Sequence, residues 1–467
     1  MLRETSNLNK PDQKRYALMM AMLSSFLTPF MGSSINVALP AIGEDFSMTA
    51  VMLSWVATSY LLAAAAFLVP LGRAADIWGR KKVFVIGMAL FAITSTLCAF
   101  APTAEMLIAF RWAQGIGSAM IFGTSIALLT SVYPIQERGK ALGMTVAVVY
   151  LGGASGPVLG GFLTTFLGWR SIFLVILPGI IGVIWIGTRK LVGDWCEASG
   201  ERYDRVGATF YVLSLTAVIV GFSFLSEPFG VVLTAVGAFI LAAFVLWELR
   251  QSSPVLEMRL FVRNRAFAFS NMAALINYAA TFAVGFMMSL YLQYVEGFNA
   301  HEAGMVLVSQ MVVMAVFSPV AGRLSDVIEP RIIASVGMGI NAIGLALISF
   351  FREGTEVWMI VAVLAFLGFG FALFSSPNTN AIMSSVEKRN YGIASASVGT
   401  MRLIGQVLSL GIATMFISVY VGSAQMSPEL APEFMKAFQP GFMTFSVLCF
   451  LGVFASLTRG RLRPGNR

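Results

Sequence analysis

The sequence predicts an all-α polytopic membrane protein. Of its 467 residues, 57% are hydrophobic and only 12% are charged, and the mean hydropathy is +0.81. Soluble domains cannot bury so large an apolar fraction. Uninterrupted apolar runs of about 20 residues, the length that crosses about 30 Å of hydrocarbon, recur along the chain. Because these runs are continuous and do not alternate with polar residues, they favour helices and exclude a transmembrane β-barrel.

We predict fourteen membrane-spanning helices. In residue numbers they are expected at about 16–40, 51–71, 83–101, 106–133, 141–168, 171–188, 206–226, 229–247, 266–295, 303–321, 332–351, 357–384, 391–421 and 440–458. Lys and Arg concentrate in cytoplasmic loops and so test that count. With both termini on one side, the 31 Lys and Arg residues divide into 26 on that side, three on the opposite side and two within spans. We therefore expect a multi-pass protein of the plasma membrane with both termini in the cytoplasm.

The spans divide into six, two and six. A long polar connection, 189–205, follows the sixth span, and a basic segment, 248–265, follows the eighth. The expected division is an N-terminal six-helix bundle at 1–190, a linker with two extra helices at 191–262 and a C-terminal six-helix bundle at 263–467.

A short repeat supports this division. The motif G-R-x-x-D begins at Gly72 after the second span of the first six, and it recurs at Gly322 after the second span of the last six. Its acids are Asp76 and Asp326. Two halves with the same orientation predict parallel repeats related by an axis along the membrane normal, with a cavity between them.

Several classes of protein are excluded by the composition. The cations lie at the ends of apolar runs and form no single patch, so we expect no nucleic-acid partner. One histidine, His301, and three widely separated cysteines suggest neither a metal cluster nor a disulfide framework. The sequence has no GxxxxGK[ST] loop for an ATP-driven pump and no nucleophile–base constellation for an enzyme. We therefore expect no cofactor and no metal.

The charged stretch GRAADIWGRKK, residues 72–82, has two interpretations. Topology alone explains the basic residues Arg80, Lys81 and Lys82, but it does not explain Asp76. An aspartate at a helix end can pair with a cation on a neighbouring helix and hold the two halves in one state, so that breaking the pair opens the gate. The alternative is a merely solvated turn.

Two arginines lie within predicted spans. Arg111 is in span four, with Gln114, Gly115 and Ser118 on its helix face, and Arg402 is near the middle of span thirteen. A cation at the bilayer centre costs about 2.5–3.5 kcal/mol even on insertion-based scales, so each should face a cavity or a partner. The alternative, snorkelling to an interface, fits Arg402 poorly because of its depth and fits Arg111 better.

Span five is marked by glycine and proline in GGASGPVLGG, residues 152–161. Gly152, Gly156 and Gly160 fall on one helix face, where small residues let a neighbouring backbone approach. Pro157 removes a backbone hydrogen bond and kinks the helix. Two interpretations stay open, ordinary tight packing and a functional bend at the seam between the halves.

Together these motifs resemble the major facilitator superfamily. GRAADIWGRKK is similar to its loop motif, RWAQGIG (111–117) to its span-four motif, and GGASGPVLGG to its antiporter signature in span five. The layout of six, two and six spans is that of its fourteen-span drug:proton antiporters, the DHA2-type family, and the resemblance covers essentially the whole chain. It implies the major facilitator fold of two parallel-related six-helix bundles.

The resemblance also implies gating and coupling residues. They are Gly72 (permitting a tight turn), Asp76, Arg80 and, in the repeat, Asp326 for the cytoplasmic latch, Arg111 for proton coupling, and Gly156 and Pro157 for the bend associated with antiport.

One position departs from the family's pattern. Members often carry an acid near the start of the span-one motif, where this sequence has Met31, and none of its 23 Asp and Glu residues falls in the middle of a span. A proton-driven pump usually needs a carboxylate that titrates in the transport path. Three possibilities stay open: a helix-end acid such as Glu105, Asp76 or Glu302 carries the proton, the proton is handled indirectly, or transport is uncoupled.

The polar residues expected to line a central cavity are neutral or basic. They are Asn277, Tyr278, Gln293, Gln310, Asn341, Asn378 and Arg402. A cavity for dicationic compounds would gain from a carboxylate, so we expect a neutral, zwitterionic or anionic amphipathic substrate. The alternative is that several of these residues join helices, at about 0.6 kcal/mol each.

The sequence therefore predicts a secondary active transporter that exports small amphipathic compounds, as in multidrug efflux, by proton antiport with alternating access. The first alternative is a dedicated transporter of a single metabolite, uncoupled or coupled to another ion. The second is a non-transporting membrane sensor. The expected partners are a small-molecule substrate, protons and the lipid bilayer, and the protein is expected to be a monomer.

Overall fold

The computed structural model describes residues 11–460, apart from 226, 252, 388–390 and 423. Within these ranges, fourteen helices are long and apolar enough to cross a membrane, which confirms the predicted all-α fold and its number of spans. We label them α1 (Pro11–Asp45), α2 (Ala50–Trp78), α3 (Arg80–Ala99), α4 (Ala104–Val132), α5 (Ile135–Leu167), α6 (Ser171–Arg189), α7 (Arg205–Ser223), α8 (Pro228–Glu248), α9 (Arg265–Val295), α10 (Ala300–Val327), α11 (Pro330–Ile348), α12 (Val357–Ser384), α13 (Tyr391–Tyr420) and α14 (Ala431–Thr458).

Several helices extend beyond the apolar runs that predicted them. α2 continues past Pro70 to Trp78, and α14 begins at Ala431 and passes through Pro440. An apolar run measures only the part of a helix inside hydrocarbon, whereas packing keeps the flanking turns helical. In α14 the added turns carry Phe438, whose ring stacks on that of Tyr291 with 5.0 Å between centroids.

Local sequence sets several helix starts on the side of the membrane opposite the amino terminus. Thr49 and Thr103 accept hydrogen bonds from backbone amides in the first turns of α2 and α4. Asn299 and Glu302 form a capping box at the start of α10. These polar residues end the connecting loops and fix where the next span enters the membrane.

Two groups of six helices, α1–α6 and α9–α14, meet through matching elements. α5 packs against α10, and α2 packs against α13, so that the fifth helix of each group meets the second helix of the other. This reciprocal packing is expected of two parallel-related repeats. α7 and α8 pack together beside the α2–α13 contact, where the Tyr211 hydroxyl donates to the carbonyl of Ala65 at 3.3 Å.

Hydrogen bonds join the two groups on the side opposite the amino terminus. They run from Ser289 Oγ to the Asn36 carbonyl (2.8 Å), from Gln293 Nε2 to the Val37 carbonyl (3.1 Å), from the His301 amide to Thr165 Oγ1 (3.2 Å) and from Thr414 Oγ1 to Ser54 Oγ (2.9 Å). All of these residues lie in the halves of their helices nearest that side. The space between the groups is therefore closed there.

The glycines of α5 make two different contacts. Gly152 and Gly160 pack against α1, since a Cβ at Gly160 would lie 2.6 Å from the Cβ of Ser34, and the Ser34 hydroxyl donates to the Gly156 carbonyl at 3.1 Å. The other contact is with α10, where a Cβ at Gly304 would overlap the carbonyl oxygen of Pro157. α5 thus packs closely against α1 of its own group and against α10 of the other group.

Candidate functional site

Five polar side chains from five helices meet near the middle of the molecule. They are Tyr150 (α5), Tyr278 (α9), Ser318 (α10), Ser375 (α12) and Arg402 (α13). The hydroxyls of Tyr278 and Ser375 lie 3.5 Å apart, and the Tyr150 hydroxyl approaches those of Ser318 and Ser375. We call these five residues the central cluster. Two of them, Tyr278 and Arg402, belong to the set that the sequence predicted for the cavity.

Arg402 is the charged member of the central cluster. Its guanidinium lies 5.7 Å from the centre of the Tyr278 ring. Gly405, one turn later, allows this approach, since a Cβ there would lie 2.7 Å from the carbonyl oxygen of Leu275. Among the described residues Arg402 has neither an ion pair nor a hydrogen bond, and it is only partly buried. Its N–H donors therefore remain available to a ligand, in the planar arrangement that suits carboxylate and phosphate groups.

Arg111 is fully buried within the first group of helices. Its Nε donates to the carbonyl of Val56 at 3.0 Å, its Nη1 donates to Oε1 of Gln114 at 2.5 Å, and the guanidinium lies 4.3 Å from the centre of the Tyr60 ring. Within the described part of the chain, no hydrogen-bond partner faces Nη2. The cation is thus held by neutral acceptors and an aromatic face, without a carboxylate.

The charged stretch 72–82, which covers the end of α2 and the start of α3, contains an ion-pair network. Arg80 Nε donates to Asp76 Oδ1 at 2.8 Å, and Arg80 Nη1 donates to Ser131 Oγ at 2.8 Å. The same guanidinium donates to both carboxylate oxygens of Glu197, at 2.6 and 2.7 Å. Glu197 lies in the connection between α6 and α7. The sequence predicted a cation on a neighbouring helix as the partner of Asp76. Here Asp76 pairs with Arg80, the first residue of α3, which belongs to the same group of six helices.

The tight turn expected at Gly72 lies at Gly79 instead. Gly72 is inside α2, whereas Gly79 separates α2 from α3 with φ +116°, a conformation that favours glycine. The close approach at Gly72 is to α4, because a Cβ at Gly123 would lie 3.3 Å from the Gly72 Cα. In the repeated motif, Asp326 is exposed and accepts only a 3.5 Å contact from Asn380, and Pro330 occupies the position equivalent to Arg80.

The remaining predicted cavity residues have separate locations. Asn277 and Asn341 are fully buried and hydrogen-bonded to each other at 3.1 Å, between α9 and α11. Asn378 accepts a hydrogen bond from the buried Arg459 at 2.8 Å. Gln293 belongs to the seam on the opposite side, and Gln310 lies on the same helix as Ser318, two turns away. The structure therefore places none of these five amide side chains in the central cluster.

The helix-end acids differ in their surroundings. The Glu302 carboxylate accepts from the Asn299 amide at 2.9 Å as part of the capping box. Glu105 is exposed and borders an open groove of about 460 Å³ between α2 and α4, beside Trp55 and Trp112. Neither residue contacts the central cluster.

Sequence reasoning missed Tyr150, Ser318, Ser375 and Glu197. A serine in an apolar helix is a weak signal, since it commonly bonds to its own backbone, as Ser318 Oγ does to the Met314 carbonyl at 2.6 Å. Tyr150 sits two residues before the GGASGPVLGG stretch, which was the one available signal for its helix.

The family is decided by comparison with known proteins. The model of the Major Facilitator Superfamily matches residues 21–247 and 270–467, most of the chain. The chain belongs to the major facilitator superfamily. The predicted family is therefore confirmed, and the protein is a many-span membrane transporter of small molecules and not an enzyme.

Two relatives within the superfamily are similar over almost their whole length. This chain is 33% identical to the cephamycin export protein CmcT of Amycolatopsis lactamdurans, over 93% of this chain and 91% of that protein. It is 26% identical to the riboflavin transporter RibZ of Clostridioides difficile (strain 630), over 94% and 96%.

A solved structure has the same fold. A bacterial homologue of the human lysosomal transporter Spinster, in an inward-facing and occupied conformation, gives a TM-score of 0.66 at 19% identity, over 96% of this chain and 97% of that chain. At this identity the similarity concerns the major facilitator fold alone.

Proposed function

We propose that this transporter exports small amphipathic compounds by alternating access of two six-helix bundles, 1–190 and 263–467, around the central cluster. The observation that carries the proposal is Arg402, which has no ionic partner among residues that the structure describes and lies where helices of both groups meet. A buried or half-buried charge in a span is costly unless it serves a ligand or a pathway. The similarity to CmcT, a protein named for export, supports the direction.

The proposed orientation places both termini in the cytoplasm, because Lys and Arg concentrate on that side. The closed side, with Ser289 against Asn36, is then the outside. A compound would enter from the cytoplasm, bind at the central cluster and leave after the seam opens. The linker 191–262 contributes α7 and α8 beside the bundles.

The proposed substrate is neutral, zwitterionic or anionic. The five residues of the central cluster offer one cation and four hydroxyls but no carboxylate. Beside them, the ring of Phe371 lies 5.5 Å from that of Tyr278. A dicationic compound would meet repulsion from Arg402 without a compensating charge.

The proposed coupling is proton antiport. We assign the gate to Asp76 and Arg80, whose ion pair lies on the loop between α2 and α3, and a role in coupling to Arg111. Gly156 and Pro157 would contribute the bend in α5, and Asp326 would be the weaker counterpart of Asp76 in the second bundle. The alternative of a dedicated carrier is favoured by one observation, the similarity to RibZ, which is named for riboflavin alone.

The substrate proposal is tested with reconstituted liposomes and four amphipathic compounds: neutral, zwitterionic, anionic and dicationic. We expect several unrelated compounds to compete, and Arg402→Ala to lower transport of the anion by about tenfold or more, the effect of losing a hydrogen bond to a charged group. Transport of the neutral compound should stay within about twofold. Arg352→Ala, at an exposed arginine outside the central cluster, is the control.

Two results would contradict the substrate proposal. Export of the dicationic compound as readily as the neutral one would remove the argument from charge. Rejection of all compounds but one would favour a dedicated carrier.

A further inference from the structure

The connection between α6 and α7 lies against residues 72–82, the stretch from the end of α2 to the start of α3 in which the gate is proposed. We call residues 72–82 the gating loop. We call residues 190–204 the linker strap. The Arg80 amide donates to the Trp195 carbonyl at 3.0 Å, and the Ala198 amide donates to the Asp76 carbonyl at 3.0 Å. A connection of this length that served only to join two spans would not need to pair its backbone with a distant loop.

Each of three acids in the linker strap holds a different part of the gating loop. The Asp194 carboxylate accepts from the amides of Lys81 and Lys82 at 2.9 and 3.2 Å, at the start of α3, where a negative charge is favourable. Glu201 pairs with Arg73 at the end of α2. Glu197 pairs with Arg80 at the start of α3. The loop is therefore held at both helix ends and at its central cation.

The contact between Glu197 and Arg80 is the most specific of the three. Both guanidinium Nη atoms donate to the two oxygens of one carboxylate, at 2.6 and 2.7 Å, whereas Asp76 receives a single hydrogen bond. Arg80 is only 7% exposed, although Glu197 itself is largely exposed. A two-pronged pair of this kind fixes the plane of the guanidinium, and so also its contact with Asp76.

The far end of the linker strap packs against an apolar cluster that also contacts the helix carrying Arg402. The Tyr203 ring lies 5.5 Å from that of Trp78, and its hydroxyl donates to the Pro70 carbonyl at 3.3 Å. Tyr203 also packs against the apolar cluster around Tyr211, as does Ile404 of α13. The strap therefore contacts α2 directly and is linked to α13 through that cluster.

We propose that Glu197 is a positioning residue of the gate, and that its pair with Arg80 stabilises the conformation closed on the opposite side. The inference rests on the alternating-access function proposed above. Alternating access must move α13 relative to α2, and the strap contacts α2 directly and α13 through the apolar cluster around Tyr211. Releasing Glu197 from Arg80 would then accompany opening of the seam, in which Ser289 contacts Asn36.

The conformational test uses a cysteine at the seam. Ser289 is fully buried, so Ser289→Cys in a Cys196→Ser background should react slowly with a membrane-impermeant maleimide, because Cys98 and Cys449 are buried. We expect Glu197→Gln to raise this rate by about fivefold or more, the lower end of ordinary coupling. In an Arg80→Gln background, Glu197→Gln should cause no further increase, because Glu197 acts through Arg80. Glu257→Gln, in the same linker but outside the strap, is the control.

A second measurement follows the strap itself. Cys196 is the exposed cysteine of the chain and adjoins Glu197, so a fluorophore attached there reports strap motion. We expect Glu197→Gln to lower the fluorescence anisotropy. A more mobile strap with an unchanged labelling rate at residue 289 would overturn the proposal, because Glu197 would then be only a structural contact. A labelling rate that Glu197→Gln still raises in the Arg80→Gln background would overturn it as well, because Glu197 would then not act through Arg80.

The two proposals fail in different ways. Absence of compound movement in wild-type liposomes would contradict the proposed export, while the labelling and anisotropy measurements would still test the Glu197–Arg80 contact. Normal transport with no effect of Glu197→Gln on labelling would contradict only the role of Glu197.

Discussion

At the scale of single residues, Arg111 shows how a helix bundle holds a buried cation without an acid. The charge is distributed over the Val56 carbonyl, the Gln114 amide oxygen and the Tyr60 ring. Gln114 is held in turn by donating to Ser95 Oγ at 2.7 Å, and the Tyr60 hydroxyl lies 2.8 Å from that of Ser118. Such an arrangement costs desolvation energy, so its retention points to a function.

Replacing Arg111 should separate stability from transport. Arg111→Met removes the buried charge but leaves the buried Gln114 amide oxygen without its donor, so we expect the free energy of unfolding to fall by about 1–3 kcal/mol. Proton-coupled transport should fall at least about tenfold, the effect of losing a hydrogen bond to a charged group. Thermal unfolding in detergent and liposome transport measure the two effects.

Arg111→Lys is the control for this prediction. It keeps a charge but loses the planar fork that serves two acceptors, so it should unfold at a lower temperature than Arg111→Met. A methionine variant less stable than the lysine variant would contradict the account of Arg111.

The sequence identified the charged residues of the candidate site and missed their partners. Arg111 and Arg402 stand out because a charge in an apolar run is conspicuous. The contact of Arg80 with Glu197 could not be predicted, since it joins residues 117 positions apart. The amide residues were ambiguous for a physical reason: Asn277 and Asn341 satisfy each other between helices, and a sequence cannot distinguish that role from lining a cavity.

At the scale of elements, the contact between α5 and α10 depends on a glycine. A Cβ at Gly304 would overlap the carbonyl oxygen of Pro157, so Gly304→Ala must push the two helices apart. We expect the closed seam to lose about 1–3 kcal/mol, as overpacked sites do. The measurement is the thermal unfolding temperature together with the labelling rate at the seam.

A matched glycine in α5 provides the control. A Cβ at Gly153 would have nothing within 4 Å, so Gly153→Ala should be neutral or stabilise the helix by about 0.5–1 kcal/mol. Equal effects of the two substitutions would show that helix propensity, and not the seam, determines the result. The sequence singled out this glycine-rich stretch, but it could not say which glycine faces α1 and which part of the stretch faces α10.

At the scale of the whole molecule, hydropathy and charge predicted the architecture because both follow from the bilayer. Each span must be long and apolar, and the loops on the cytoplasmic side of such proteins are rich in Lys and Arg. The fourteen spans and the family are confirmed. The helix ends, such as Ala431 of α14, depend on packing outside the hydrocarbon and were not predictable in the same way.

The second and fifth helices of each group form two matching interfaces with the fifth and second helices of the other group. Both include part of the closed seam, His301 with Thr165 between α10 and α5 and Thr414 with Ser54 between α13 and α2. The interface of α2 with α13 also adjoins the inserted helices. Movement about these two interfaces is the simplest motion that would open one side while closing the other.

The measurement that tests the central claim most directly is proton flux in liposomes that contain a pH-sensitive dye. We predict that adding an anionic or neutral amphipathic compound drives proton movement in wild-type protein, and that Asp76→Asn abolishes it. Asp76 is the acid of the gating pair, so its loss removes one of the two carboxylates that hold Arg80. Compound movement without any proton flux would contradict the claim, and the protein would then be a uniporter or would use another ion.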